Sequence, residues 1–338
     1  MNQNGPMSSA CMPQWSRRVG AGLLTGVGVY TAALAAPVVA LAHGPVPPAP
    51  TLPGVLLAWT FNPLPLAAVV VAAVGYWWLA RRVARRHPRN PVPRYRHWAW
   101  GGGLAAVVVA LLSPVETYSG ALLTVHMFQH LLLQFVAAPL LLLAAPVTLV
   151  LRAVDQDTRR TLLVVLHSRI VRVVTFPLLA LFLFAAVNWG WHFSELYDHA
   201  LEVEWVHVVQ HATLFGVALL FWFPVIGADP GPWRLPYPAR LFYLFLAMPQ
   251  NSFLGVAIMN AAGVLYPHYA TLERDWGPDP LIDQQAAGTL MWVWGDLTFL
   301  LAMLLVIVAW VRQEERRTAR DEARQDAEAA RQAPLESG

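Results

Sequence analysis

The sequence predicts an all-α integral membrane protein, a bundle of seven transmembrane helices after a signal peptide or an additional N-terminal helix. The first observation is composition: of 338 residues, 57% are hydrophobic and only 13% are charged, where a soluble protein carries roughly 25% charged residues. The second is length, because several almost uncharged windows reach the roughly 20 residues that cross a bilayer. The third is that the chain has no lysine and its arginines flank the hydrophobic runs, as topology signals do.

The N-terminal segment, residues 1–42, begins with an arginine pair, continues as an apolar run and ends in Ala-Leu-Ala. This pattern is typical of a secretory signal cleaved before His43, and an uncleaved first transmembrane helix is the alternative. The single cysteine, Cys11, precedes the run. A disulfide framework and a C-x-x-C metal site are therefore excluded.

The polytopic domain, residues 43–311, contains the seven predicted spans, and a charged tail follows at 312–338. The loop "RRVARRHPRNPVPRYR" predicts a cytoplasmic connection after the first of these spans. Alternation from that loop leaves the arginine-rich connections and the tail inside, which supports one topology. The predicted spans are 54–80, 97–114, 121–151, 171–191, 203–226, 240–262 and 286–311.

In this topology eight of the eleven histidines lie at the outer side. Two pairs have the same spacing, His126 with His130 and His207 with His211. A separation of four residues places both rings on one helix face, about 6 Å apart along the axis. Both pairs lie where a helix enters the membrane from outside, so four imidazoles converge if those helices face each other. Glu204 precedes His207 by three residues and shares its face.

Three interpretations of these histidines remain open: a metal site, interhelical hydrogen bonding, and haem ligation. Neutral imidazole suits copper, zinc and iron, and a thioether adds a preference for Cu(I). A copper site is the sharpest hypothesis, although histidines that hydrogen-bond helices together are ordinary in membrane bundles. The candidate thioether ligands are Met127 and Met291, and the candidate supporting or additional groups are Glu204, Asp283, His192 and Asp296.

Several blocks resemble one family. "LLSPVETYSGALLTVHMFQHLLLQFVAAPLLLLAAP", "WHFSELYDHALEVEWVHVVQH", "LYPHYA" and "DQQAAGTLMWVWG" are similar to the polytopic CtaG family of cytochrome c oxidase assembly factors, over roughly residues 54–310. The resemblance implies a bacterial plasma-membrane protein that helps to mature a haem–copper oxidase by supplying it with copper. The positions that match the family blocks are His126, Met127, His130, His207, His211, Asp283 and Met291.

We therefore expect a chaperone or insertion factor, not an enzyme, that binds copper at the outer face and delivers it to cytochrome c oxidase subunits. Its other contacts would be with membrane lipid, and the sequence contains no sign of nucleic-acid binding. The alternatives are a haem-binding membrane oxidoreductase, a metal- or proton-coupled transporter that uses Asp296, and a scaffold without metal. Spacing of four residues at one depth disfavours haem.

Overall fold

All the secondary structure of the described chain is helical. The computed structural model describes residues 46–332, with side chains described through residue 328. The predicted signal peptide or first helix, residues 1–42, and His43 lie outside these residues. The α-helices are α1 Leu52–Leu57, α2 Pro63–Arg86, α3 Arg94–Leu112, α4 Pro114–Ser119, α5 Leu123–Leu131, α6 Ala138–Leu143, α7 Pro146–Ala153, α8 Gln156–Leu166, α9 Arg169–Val174, α10 Pro177–His192, α11 Leu196–Glu202, α12 Glu204–Ile226, α13 Tyr237–Met259, α14 Pro267–Thr271 and α15 Pro280–Gln332; a π-helix, Leu132–Ala137, joins α5 to α6.

The number of spans is smaller than the sequence predicts. Five described segments are long and apolar enough to cross a membrane, and α10 with α11, bent by 69°, makes a sixth if the pair is one span. The predicted span 97–114 forms α3, which is not among them. The first turn of α3 contains Arg94 and Arg96, so its apolar part is shorter than the roughly 20 residues that a span requires. A count of seven is not confirmed. The five spans are Pro63–Arg86, Leu123–Ala153, Glu204–Ile226, Tyr237–Met259 and Pro280–Glu328.

The predicted span 121–151 is one long but irregular path. Its π-helical segment precedes Pro139, which has no N–H to donate to the carbonyl four residues before it. In the segment the helix widens, and the N–H of Ala138 donates to the carbonyl of Leu133, five residues back. Gln134 lies inside it, where its carbonyl accepts a hydrogen bond from Trp222 Nε1 at 2.9 Å. The irregular turn thereby ties α5 to α12.

Close packing of α13 against α15 closes the bundle beside α5. A Cβ on Gly255 would lie 2.8 Å from the carbonyl oxygen of Gly288, and a Cβ on Gly288 would lie 2.6 Å from the backbone nitrogen of Met259. Only glycine permits this approach, as is common where membrane helices pack. On the other side of α15, Leu297, Leu301 and other large apolar side chains are more than half exposed. Such a surface suits a lipid environment.

Candidate metal centre

The two predicted histidine pairs meet inside the bundle. His126 and His130 lie on α5, and His207 and His211 lie in the first turns of α12. Their exposed fractions are 0% and 2% for the first pair and 5% and 8% for the second. Because its members are four residues apart, each pair lies on one face of its helix. The two faces meet, which is the condition that the sequence left open, and we call these four residues the histidine cluster.

The four imidazole rings form one continuous group, in which each ring lies near at least two others. Ring centroids are 4.5 Å apart for His126 and His130 and 4.2 Å apart for His207 and His211. Across the helices, the centroid distances are 5.4 Å from His126 to His207 and 4.9 Å from His130 to His211. Ligand nitrogens of His126, His130 and His211 all lie within 4.8 Å of one another. Because a metal–nitrogen bond is about 2 Å long, small side-chain rotations bring these three nitrogens onto one ion.

Hydrogen bonds select which nitrogen of each histidine could bind a metal. Nδ1 of His211 lies 3.1 Å from the carbonyl oxygen of His207, which can only accept, so Nδ1 carries the proton. Nδ1 of His126 lies 3.2 Å from the hydroxyl of Tyr269, whose own proton is directed to the Ser119 carbonyl at 3.0 Å. In both residues Nε2 is left with the lone pair. Metal-binding histidines are oriented in this way by an acceptor on the second nitrogen.

Buried ring nitrogens without hydrogen bonds support the same conclusion. In the described structure, Nε2 of His211 and both ring nitrogens of His130 are buried and have no hydrogen-bond partner. Most buried polar side-chain atoms are hydrogen-bonded, and exceptions call for an explanation such as an ion. The chemistry of this donor set, several neutral imidazoles in one buried space, fits copper or zinc.

Met127 and His192 extend the cluster with a pair of soft donors. Nδ1 of His192 lies 2.7 Å from the carbonyl oxygen of Asn188 and therefore carries the proton, while Nε2 faces the sulfur of Met127 at 3.4 Å. Both side chains are almost fully buried, and the ring of His192 is 6.5 Å from that of His130. An imidazole nitrogen and a thioether sulfur are donor types that suit Cu(I).

Asp283 acts on the helix that carries the first histidine pair. Its carboxylate accepts hydrogen bonds from the backbone N–H of Leu123 at 2.6 Å and of Thr124 at 3.2 Å, and from the Thr124 hydroxyl at 2.6 Å. It is 1% exposed. The acid therefore caps the N-terminus of α5. Through this cap it positions His126, which lies in the first turn of the same helix.

Two other candidates lie in structural contacts between α13 and α15. The carbonyl oxygen of Met291 is 3.4 Å from Nδ2 of Asn251, and its side chain is buried in the core. Both carboxylate oxygens of Asp296 lie within 2.9 Å of the Ser252 hydroxyl. The structure thus gives Asp296 a hydrogen-bond partner on the neighbouring helix. A metal-binding role for Met291 stays a prediction.

Glu116, an acid that the sequence analysis did not single out, lies beside the histidine cluster. It lies in α4, partly buried, and accepts a hydrogen bond from Nε2 of Gln129, the residue before His130. The pKa of Glu116 is raised to about 7, chiefly by burial; the hydrogen bond from Gln129 lowers it in part, and the charge of Glu204 adds a smaller increase. Glu204, predicted to support the imidazoles, is therefore the electrostatic neighbour of this acid. The glutamine in "HMFQH" was the available signal.

Comparison with known proteins gives the family. The model of the cytochrome c oxidase caa3 assembly factor family matches residues 74–313. Uncharacterised proteins of Mycobacterium bovis and Mycobacterium tuberculosis are each 33% identical over 84% of this chain, and one of Mycobacterium leprae is 30% identical over 83%. The chain spans about 44% of the length of these relatives. No solved structure matches. The extent of the family match shows that the chain belongs to the cytochrome c oxidase caa3 assembly factors.

Proposed function

We propose that this assembly factor binds copper in the histidine cluster and delivers it to the oxidase during maturation. One observation carries the proposal: His126, His130 and His211 bring their ligand nitrogens within 4.8 Å of one another in a buried space. The family supplies the context, because its members are described as assembly factors of the caa3 cytochrome c oxidase. Delivery to particular oxidase subunits, at the outer face of a bacterial plasma membrane, is part of the proposal.

Copper in its +1 state suits the donors best. The chain's one cysteine is Cys11, so thiolate ligation is not available from the helices. Neutral imidazoles with the thioether of Met127 form a set that Cu(I) accepts and that binds hard ions such as magnesium poorly. The centroid separations of 4.2–5.4 Å between neighbouring rings favour a single small ion over a haem, whose macrocycle needs a wide slot between its axial ligands. His126, His130, His207 and His211 would hold the ion, and the Met127–His192 pair would receive it on its way out.

Metal analysis of the purified protein tests this proposal. Wild-type protein in detergent, loaded with Cu(I) under a reductant and then desalted, should retain copper in stoichiometric amount. A variant with both His130→Ala and His211→Ala should retain almost none, because it loses two of the three converging ligands. The absorption spectrum of the same samples shows whether haem is present through its Soret band.

The matched control removes two histidines from the opposite end of the bundle. His87 hydrogen-bonds the Arg152 carbonyl, and His167 hydrogen-bonds the Leu163 carbonyl, each outside the cluster. A variant with His87→Ala and His167→Ala should bind copper as the wild type does. Wild-type protein that retains no more copper than the His130→Ala and His211→Ala double variant, while remaining folded and monodisperse, would sink the proposal.

A further inference from the structure

The buried position of the histidine cluster raises the question of how a metal ion reaches it. His126 and His130 are 0% and 2% exposed, and His207 and His211 are 5% and 8% exposed. Exposure therefore increases toward α12. An ion that enters without unfolding the bundle needs a route on this side of the cluster.

A cavity of about 200 Å³ lies on that side. It is formed between the start of α2 and the first turns of α12, and its walls include both His207 and His211. Ala68 on α2 and Ala212 on α12 also line it, and both are exposed. The cavity thus connects the more exposed histidine pair with the surface of the bundle.

One wall of the cavity carries a carboxylate. Glu116 lines it beside the two histidines, while the other lining groups are mostly apolar. The hydrogen bond from Gln129 holds its Oε2 atom, which orients the carboxyl group and leaves Oε1 to meet a cation. In surroundings of low dielectric constant, a negative oxygen attracts a cation more strongly than it does in water.

We propose that this cavity is the passage through which copper reaches the histidine cluster, with Glu116 as the carboxylate that holds the ion before His207 and His211 bind it. The inference rests on the proposed function. It adds a direction, because the ion meets α12 first and the α5 pair second. It also assigns a role to a residue outside the histidine cluster.

Blocking the passage should slow loading without removing the site. Ala68→Phe puts a large side chain in the cavity from α2, which contributes none of the histidines, and Ala212→Phe does so from α12. Cu(I) presented as its complex with a chromogenic bidentate chelator is mixed with apo protein, and the loss of the coloured complex is followed in time. We expect loading about ten-fold slower or more in both variants, with the final copper stoichiometry unchanged for Ala68→Phe.

Ala67→Phe is the matched control, since Ala67 is also exposed and lies next to Ala68 but is not part of the cavity wall. It should load at the wild-type rate. Equal loading rates in Ala67→Phe and Ala68→Phe would overturn the passage. Copper binding by the wild-type protein would in that case leave the proposed function standing. Wild-type protein that binds no copper would refute both.

The role of Glu116 has its own test. Glu116→Gln keeps the size and an oxygen that accepts the bond from Gln129, but it removes the charge. We expect loading several-fold slower, with unchanged stoichiometry, and partial recovery of the rate in Glu116→Asp. A Glu116→Gln protein that loads as fast as the wild type would show that the carboxylate does not hold the ion.

Discussion

At the scale of single residues, Glu116 is an acid in a partly buried position. Its protonation therefore affects the stability of the folded protein. Its pKa in the folded protein is about 7, against an ordinary value of 4.5. The folded state therefore holds the proton more strongly than the unfolded state does. Stability contributed by this proton is complete below pH 4.5 and declines as the pH rises to 7, where the buried group becomes charged.

Glu116→Gln should remove this pH dependence. One pKa unit corresponds to about 1.4 kcal/mol, so we expect the variant to be more stable than the wild type by about 1–3 kcal/mol at pH 8 and equally stable at pH 4.5. Thermal unfolding of both proteins in detergent across this range measures the difference. Glu204→Gln is the comparison, with a smaller gain because Glu204 is a secondary cause of the shift. A constant difference between Glu116→Gln and wild type at all pH values would contradict the assignment.

The sequence predicted the histidine cluster because its signal is local. Spacing of four residues on each of two helices specifies a face, and the topology specifies the end of the bundle. Glu116 could not be identified in the same way, because the glutamine in "HMFQH" does not specify that its hydrogen-bond partner is an acid on another helix. The pairing of Met127 with His192 also joins residues 65 positions apart, and no short-range pattern reports such a contact.

At the scale of helices, two acids from distant parts of the chain cap the N-termini of two helices within one span. Asp283 caps α5, as described above, and Asp229 caps α7 through the N–H groups of Val147 and Thr148 and the Thr148 hydroxyl, at 2.6–3.1 Å. Hydrogen bonds to a charged group each contribute about 1.5–3 kcal/mol. Both caps stabilise the same span, but only α5 carries cluster histidines.

This difference separates stability from metal binding. Asp283→Ala and Asp229→Ala should each destabilise the protein by about 2–4 kcal/mol, measured as a lower midpoint of thermal unfolding. Only Asp283→Ala should also weaken copper affinity, by about ten-fold, because the first turn of α5 loses its anchor beside His126. Competition with a chelator of known affinity measures the second effect. Equal copper affinities in the two variants would show that the cap does not position the site.

Helix positions were largely predictable, and the breaks within them were not. The last predicted span, 286–311, lies inside α15, Pro280–Gln332, whose polar extension contains most of the predicted tail. By contrast, 121–151 was predicted as one span and contains the π-helical turn and the αL residue Ala145, with φ of 53°. Hydrophobicity reports which residues avoid water, but it does not report where a backbone bends to fit its neighbours.

For the whole molecule, the sequence predicted a membrane bundle and one consistent orientation. The bundle is confirmed as several apolar helices around a packed interior. The number of spans was less predictable, since a short helix such as α3 can lie partly in the interface and a bent pair such as α10 and α11 can form one span. The orientation in the membrane was predicted from the positions of the arginines, and it stays a prediction.

Labelling of single cysteines tests that orientation. Replacing Cys11 by Ser removes the one native cysteine. In that background, Ser194→Cys places an exposed thiol in the turn after His192, at the histidine end, and Ala323→Cys places one in the exposed tail of α15. We expect a membrane-impermeant maleimide to label Ser194→Cys in intact cells and Ala323→Cys only after lysis, because arginine-rich segments stay in the cytoplasm. The reverse pattern would put the histidine cluster at the cytoplasmic side and exclude copper delivery from the outer face.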